Sequence, residues 1–130
     1  MSSAKNTPLI LVVDDDASIR LLLEEELRAE GYEVAVAANG EEALQWISEN
    51  QPDLVTLDIK MPGMMGLEVL RRIKQERPDL PVVMVTAYSS FRHDHDAEPA
   101  DAYEVKSSDL APLKRTIGRL LETKTAGNAP

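Results

Sequence analysis

Leu54-Val55-Thr56-Leu57-Asp58-Ile59-Lys60-Met61-Pro62 reads as a short apolar strand that carries one carboxylate, Asp58, to its carboxyl end. The Pro62-Gly63 pair then turns the chain at once. A continuous apolar run bounded by turn residues suits a strand buried on both faces of a parallel sheet. In open α/β sheets ligands bind in the crevice beyond the carboxyl ends of the strands, which puts Asp58 at a chemically useful edge.

The same strand-then-helix pattern recurs on either side. Leu9-Ile10-Leu11-Val12-Val13 is β-prone throughout and ends in Asp14-Asp15-Asp16. A helix over Ala17 to Glu30 follows, capped by Asp16 and stopped by Gly31 in a left-handed turn. Ile19, Leu22, Leu23 and Leu27 form its inward stripe. Val34 to Ala37 is a second strand, and Asn39 with Glu42 has capping-box spacing for a second helix. Ala43, Leu44 and Ile47 face inward there, with Trp46 half exposed at the edge. Gly66 opens a third helix to about Arg77, lined by Leu67, Leu70 and Ile73. Pro81 to Val85 is another buried strand and delivers Thr86.

The stretch from Tyr88 to Ala100 has few apolar anchors, so a fourth helix there is expected to be short or irregular. Ala102 to Val105 reads as a fifth strand ending at Lys106. With Asp109 as cap, Pro112 takes the third position of a last helix, where a missing N–H costs no internal bond. Leu113, Ile117, Leu120 and Leu121 supply its stripe. Residues 1–8 read as a polar leader, 9–122 as one domain and 123–130 as a frayed tail. Repeated β-α units with short connections predict an α/β fold, a doubly wound parallel sheet with helices on both faces.

Composition narrows the function. The 23 acidic residues outnumber the 14 basic ones, for a net charge of -9, which argues against a nucleic-acid surface. With no cysteine there is no disulfide framework and no thiol chemistry. No apolar run is long enough to span a membrane, and the N-terminus lacks the pattern of a signal peptide. A cytoplasmic setting without membrane insertion is expected.

On this fold Asp14, Asp15, Asp58, Thr86 and Lys106 gather at the carboxyl edge of the sheet. Converging carboxylates repel, and at least one pKa rises unless a cation intervenes. Mg²⁺, or Mn²⁺ in its place, suits such an oxygen donor set. Asp15 and Asp58 are the expected direct ligands. Asp14 acts through water or orients them, and the backbone carbonyl near Lys60 completes the protein share. An anionic Asp58 beside a metal can also attack phosphorus and form an acyl phosphate. Lys106 then supplies a fixed positive charge, and the Thr86 hydroxyl can donate to a phosphoryl oxygen. His93 and His95 read as a solvated turn, since side chains two apart on a helix do not face together.

Leu11-Val12-Val13-Asp14-Asp15-Asp16, Asp58-Ile59-Lys60-Met61-Pro62-Gly63-Met64-Met65-Gly66, Val85-Thr86-Ala87 and Asp101-Ala102-Tyr103-Glu104-Val105-Lys106 closely resemble the receiver domain of two-component response regulators. The resemblance spans roughly Leu9 to Glu122 and implies a stand-alone receiver. It implies a flavodoxin-like, five-stranded sheet in the order 2-1-3-4-5 with five helices. It implies that Asp58 accepts phosphate from a sensor histidine kinase or histidine phosphotransfer protein. Asp14 and Asp15 match the acidic pair, Thr86 the switch hydroxyl, Tyr103 the switch aromatic and Lys106 the phosphate-contacting lysine. A downstream protein would dock on the face of the fourth helix, fifth strand and fifth helix.

The chain departs from the family in places. Ser107 stands where proline usually follows the lysine. A cis bond before a residue other than proline costs roughly 2.5 to 4 kcal/mol, so Lys106–Ser107 is expected to be trans. The interval from Thr86 to Lys106 is slightly short, Glu104 replaces a small or apolar residue, and Met65 replaces a polar one. Two rival readings stand beside the receiver reading, the first sharing the chemistry and the second the fold. One is a small phosphatase using an aspartyl phosphate, which would need a substrate-shaping insertion. The other is a phosphorylation-independent interaction module, against which the full set of reaction-centre residues argues.

Overall fold

The computed structural model of the chain describes residues 7–87 and 100–128, with side chains as far as Thr123. The elements run β1 (Leu9–Val13), α1 (Ala17–Ala29), β2 (Glu33–Ala37), α2 (Gly40–Glu49), β3 (Leu54–Asp58), α3 (Gly66–Glu76), β4 (Val82–Thr86), β5 (Ala102–Val105) and α4 (Ala111–Asn128). All neighbouring strands pair in parallel, in the order β2-β1-β3-β4-β5. The chain steps from β1 outward to β2, then back across β1 to β3. The crevice of a doubly wound sheet forms at that reversal.

Strand alternation divides the core in two. Leu11, Val13, Val55, Leu57, Val82 and Met84 join Ala43, Ile47, Val69, Leu70 and Ile73 on the α2 and α3 side. Ile10, Val12, Leu54, Val83 and Val85 join Leu23, Leu27, Leu113, Ile117 and Leu121 on the α1 and α4 side. Burial on both faces explains why β1, β3 and β4 read as nearly unbroken apolar runs, whereas the edge strands β2 and β5 carry Glu33 and Glu104 and are only partly buried.

Local signals act as expected at most helix ends. The Asp16 carboxylate accepts from the amides of Ser18 and Ile19. Gly31 takes φ 99°, a conformation that side chains with a Cβ disfavour. Asn39 accepts from the Glu42 amide, but the Glu42 carboxylate reaches back to the amide of Ala38 rather than that of Asn39.

Three expectations need correction. Leu22 is 39% exposed, so the inward stripe of α1 rests on Leu23 and Leu27 with Ile19 partly buried. The Leu110 carbonyl accepts the first bond of α4 from Lys114, so that helix starts at Ala111 and Pro112 is its second residue. The Asp109 carboxylate still accepts from the Ala111 amide, one residue ahead of the cap position. Helical backbone also continues to Asn128, because nothing before Gly127 in the stretch read as a tail interrupts it. No cis peptide bond occurs among the described residues, and Lys106–Ser107 is trans as expected. The fourth helix expected between Tyr88 and Ala100, and the turn at His93 and His95, lie outside the described residues. No helix of the described residues is long and apolar enough to cross a membrane.

Candidate functional site

Strand register brings the acidic groups together. Val13 pairs with Leu57, so the next residues, Asp14 and Asp58, emerge side by side from the two central strands. Asp58 pairs with Val85, and Thr86 pairs with Val105, so Thr86 and Lys106 follow on the next strands at the same edge. The Lys106 amide donates to the Thr86 carbonyl at 2.6 Å and carries the β4–β5 ladder past the end of β5.

Carboxylate oxygens of Asp14, Asp15 and Asp58 all lie within 4.8 Å of one another. Asp14 and Asp58 are buried, whereas Asp15 is exposed at the mouth. The Lys106 ammonium stands 2.9 Å from Oδ2 of Asp14 and 3.6 Å from Oδ2 of Asp58. The other Asp14 oxygen, Oδ1, accepts from the Asp16 amide at 2.9 Å. Both oxygens of Asp14 are thus engaged by protein. A cleft of about 740 Å³ opens beside Asp15, bounded by Asn39, Gly40, Pro62 and Met65.

The electrostatics follow from this crowding. Burial, then the charge of Asp14, pushes the Asp58 carboxyl up from its ordinary 3.8 to about 6; Lys106 opposes the rise and Asp15 adds to it. Burial pulls Lys106 down, but its bond to Asp14 and the charges of Asp14 and Asp58 outweigh that, and its pKa ends above the ordinary lysine value. Three carboxylates facing one ammonium leave the site short of positive charge. Hard oxygen donors with a charge deficit fit Mg²⁺.

The remaining expected residues fall nearby in different degrees. Thr86 is fully buried at the end of β4. Lys60 is exposed, two residues beyond Asp58. Tyr103 is half-buried on β5, its ring packed against the α2 and α3 side of the core and its hydroxyl oxygen shielded from solvent. Asp16 caps α1 and stands outside the acidic cluster.

Two residues that sequence reasoning did not single out for the site also support it. The Arg20 guanidinium donates from Nη1 to the main-chain carbonyl of Asp14 at 2.7 Å. Its signal in the sequence is a cation near a helix N-terminus, where the helix dipole disfavours one. Gly66, read as a helix start and as the end of the Asp58–Gly66 motif but given no role at the site, packs its Cα against the peptide of Asp58. A Cβ there would overlap the Asp58 carbonyl oxygen and come within 2.8 Å of the Ile59 Cα. The Gly66 amide meanwhile donates to the Ile59 carbonyl at 2.8 Å.

Comparison with known proteins agrees with this arrangement. Residues 10–116 match the response regulator receiver domain. The chain is 36% identical over 118 residues to sporulation initiation phosphotransferase F of Bacillus subtilis, covering 89% of this chain and 95% of that protein. It is 40% identical over 114 residues to the DNA-binding transcriptional regulator NtrC of Rhizobium meliloti; the match covers 86% of this chain but spans only 24% of NtrC. Among solved structures it resembles the response regulator protein TrrA of Thermotoga maritima in complex with Mg²⁺-BeF, at 47% identity and a TM-score of 0.85, covering 88% of this chain and 99% of TrrA. TrrA is also known in complex with the histidine kinase ThkA. The chain belongs to the response regulator receiver domain family.

Proposed function

We propose that the chain is a phospho-accepting switch that takes a phosphoryl group on Asp58 from a phosphohistidine of a sensor histidine kinase or histidine phosphotransfer protein. The observation that carries this reading is the meeting of Asp14, Asp15 and Asp58 within 4.8 Å, beside an ammonium that reaches two of them. The Asp58 carboxylate attacks phosphorus as the phosphorus–nitrogen bond of the donor breaks; the bonding pair returns to the freed nitrogen, so a donor ring protonated on its other nitrogen leaves as neutral imidazole and Asp58 carries the acyl phosphate. Water later attacks the same phosphorus and restores the carboxylate, releasing phosphate.

Asp15 and Asp58 would hold Mg²⁺ directly, with the Lys60 carbonyl. Asp14, whose oxygens already bind Lys106 and the Asp16 amide, orients the site. When bound, the metal offsets the carboxylate charges and the charge on the transferring oxygens. Lys106 holds one phosphoryl oxygen, and the Thr86 hydroxyl donates to another. The acyl phosphate adds about 1.5 to 2 negative charges at the sheet edge. Thr86 moves toward them, and Tyr103, two residues back on the neighbouring strand by register, follows.

The output is read by a downstream protein on the face built from β5 and α4. Thr116 on α4 donates to the Glu104 carboxylate at 2.6 Å, joining those elements two residues before Lys106. Incubation with Mg²⁺ and acetyl phosphate, followed by intact mass, tests the reading. Wild type gains one phosphoryl group, while Asp58→Asn gains none. Equal labelling of both would overturn it.

A further inference from the structure

Arg20 lies on the first turns of α1, and its own amide donates to the Asp16 carbonyl. A cation there opposes the helix dipole, so the helix gains nothing from its charge. The half-buried Arg20 side chain instead curls back over the preceding loop, and its guanidinium grips the Asp14 carbonyl at 2.7 Å. That carbonyl belongs to the planar peptide joining Asp14 to Asp15, so its orientation fixes the direction in which Asp15 leaves the chain. The Asp14 carboxylate has its own anchors in Lys106 and the Asp16 amide. The Asp15 carboxylate is exposed and depends far more on its backbone.

We infer that Arg20 is a positioning residue for the divalent-cation site, clamping the Asp14–Asp15 peptide so that Asp15 faces Asp58. The inference rests on the phospho-accepting reading above and adds a residue to it. Charge and clamp predict opposite signs. As a bare charge held at the Asp14 main chain, Arg20 repels Mg²⁺, and its removal would tighten binding. As a clamp it holds a ligand in place, and its removal loosens binding.

The test uses the full chain with Arg20→Met, which loses donor and charge, and Arg20→Lys, which keeps one of each. Mg²⁺ alone is titrated and followed by backbone amide shifts. Acetyl phosphate labelling is measured against Mg²⁺ concentration, and urea unfolding reports stability. Arg20→Met is expected to weaken Mg²⁺ binding about tenfold, as loss of a group that orients metal ligands commonly does, and to raise the Mg²⁺ needed for half-maximal labelling by the same factor. Arg20→Lys stays close to wild type. Unchanged or tighter Mg²⁺ binding in folded Arg20→Met overturns the inference, and lower stability with unchanged binding reduces Arg20 to a helix brace. Should Arg20→Met not fold, Arg20→Gln takes its place under the same expectation, its side chain being too short to span the gap. Failure of wild type itself to bind Mg²⁺ or take label sinks the parent reading and this one with it, a result separable from a wild-type-like Arg20→Met.

Discussion

Lys106 binds Asp14 more closely than Asp58: its ammonium is 2.9 Å from the first carboxylate and 3.6 Å from the second. Asp14 therefore anchors the cation, and in the function proposed above the longer approach leaves Lys106 to turn to a phosphoryl oxygen on Asp58. Replacement by Lys106→Met leaves two buried carboxylates without their shared cation. Removing one partner of a buried pair is costly, and the variant should lose about 2 kcal/mol at pH 7 in metal-free buffer. Mg²⁺ should recover part of that loss. Urea unfolding with and without Mg²⁺ measures both, and a variant as stable as wild type without metal would contradict the anchoring role.

The raised Asp58 carboxyl makes stability depend on pH in a definite direction. Its folded value of about 6 lies above its ordinary 3.8, so between these values the folded state binds more protons than the unfolded state. The Asp58 contribution to stability is therefore fully present below about pH 4 and is lost as pH rises through about 6. Its size is at most about 3 kcal/mol. Wild type minus Asp58→Asn, compared by urea unfolding from pH 4 to 7 without metal, isolates this contribution. The difference should turn against wild type as pH rises, and Mg²⁺ should shrink it. A difference moving the other way would show that Asp58 is not crowded by its neighbours.

Gly66 sets the distance between α3 and the Asp58 peptide. Gly66→Ala forces either the helix or that peptide to move, because the obstruction is backbone rather than a flexible side chain. Overpacking of this kind costs about 1–3 kcal/mol, and displacement of Asp58 should also slow phosphoryl labelling. A control at the opposite end of the sheet separates the two effects. The Asp101 carboxylate accepts from Lys74 and from the Val82 amide, both at 2.8 Å. Asp101→Ala should lose about 2 kcal/mol yet label at the wild-type rate under native conditions. Equal labelling by Gly66→Ala and Asp101→Ala would remove Gly66 from the site.

The features readable in the sequence were those set by local physics. Unbroken apolar runs announced strands buried on two faces, and Asp16, Gly31 and Asn39 marked helix ends through their own capping chemistry. The acidic pair, Asp58, Thr86 and Lys106 were legible because each directly ends or follows a strand, and parallel strands bring those ends to one edge. What escaped depends on approach between distant segments. The exposure of Leu22 reflects which helical positions the sheet and α4 leave uncovered. The Arg20 clamp depends on a side chain folding back over its own helix cap. The Glu104–Thr116 bond and the Lys74–Asp101 pair join elements whose spacing no periodicity encodes.

The most direct measurement locates the transferred group. Protein labelled by acetyl phosphate with Mg²⁺ is reduced with borohydride, which converts an acyl phosphate to an alcohol, and the peptides are sequenced by mass spectrometry. Reduction at Asp58 alone, lost when Mg²⁺ is omitted, is the predicted result. Modification at Asp14, Asp15, a histidine or a serine, or labelling of Asp58 that is indifferent to metal, would contradict it.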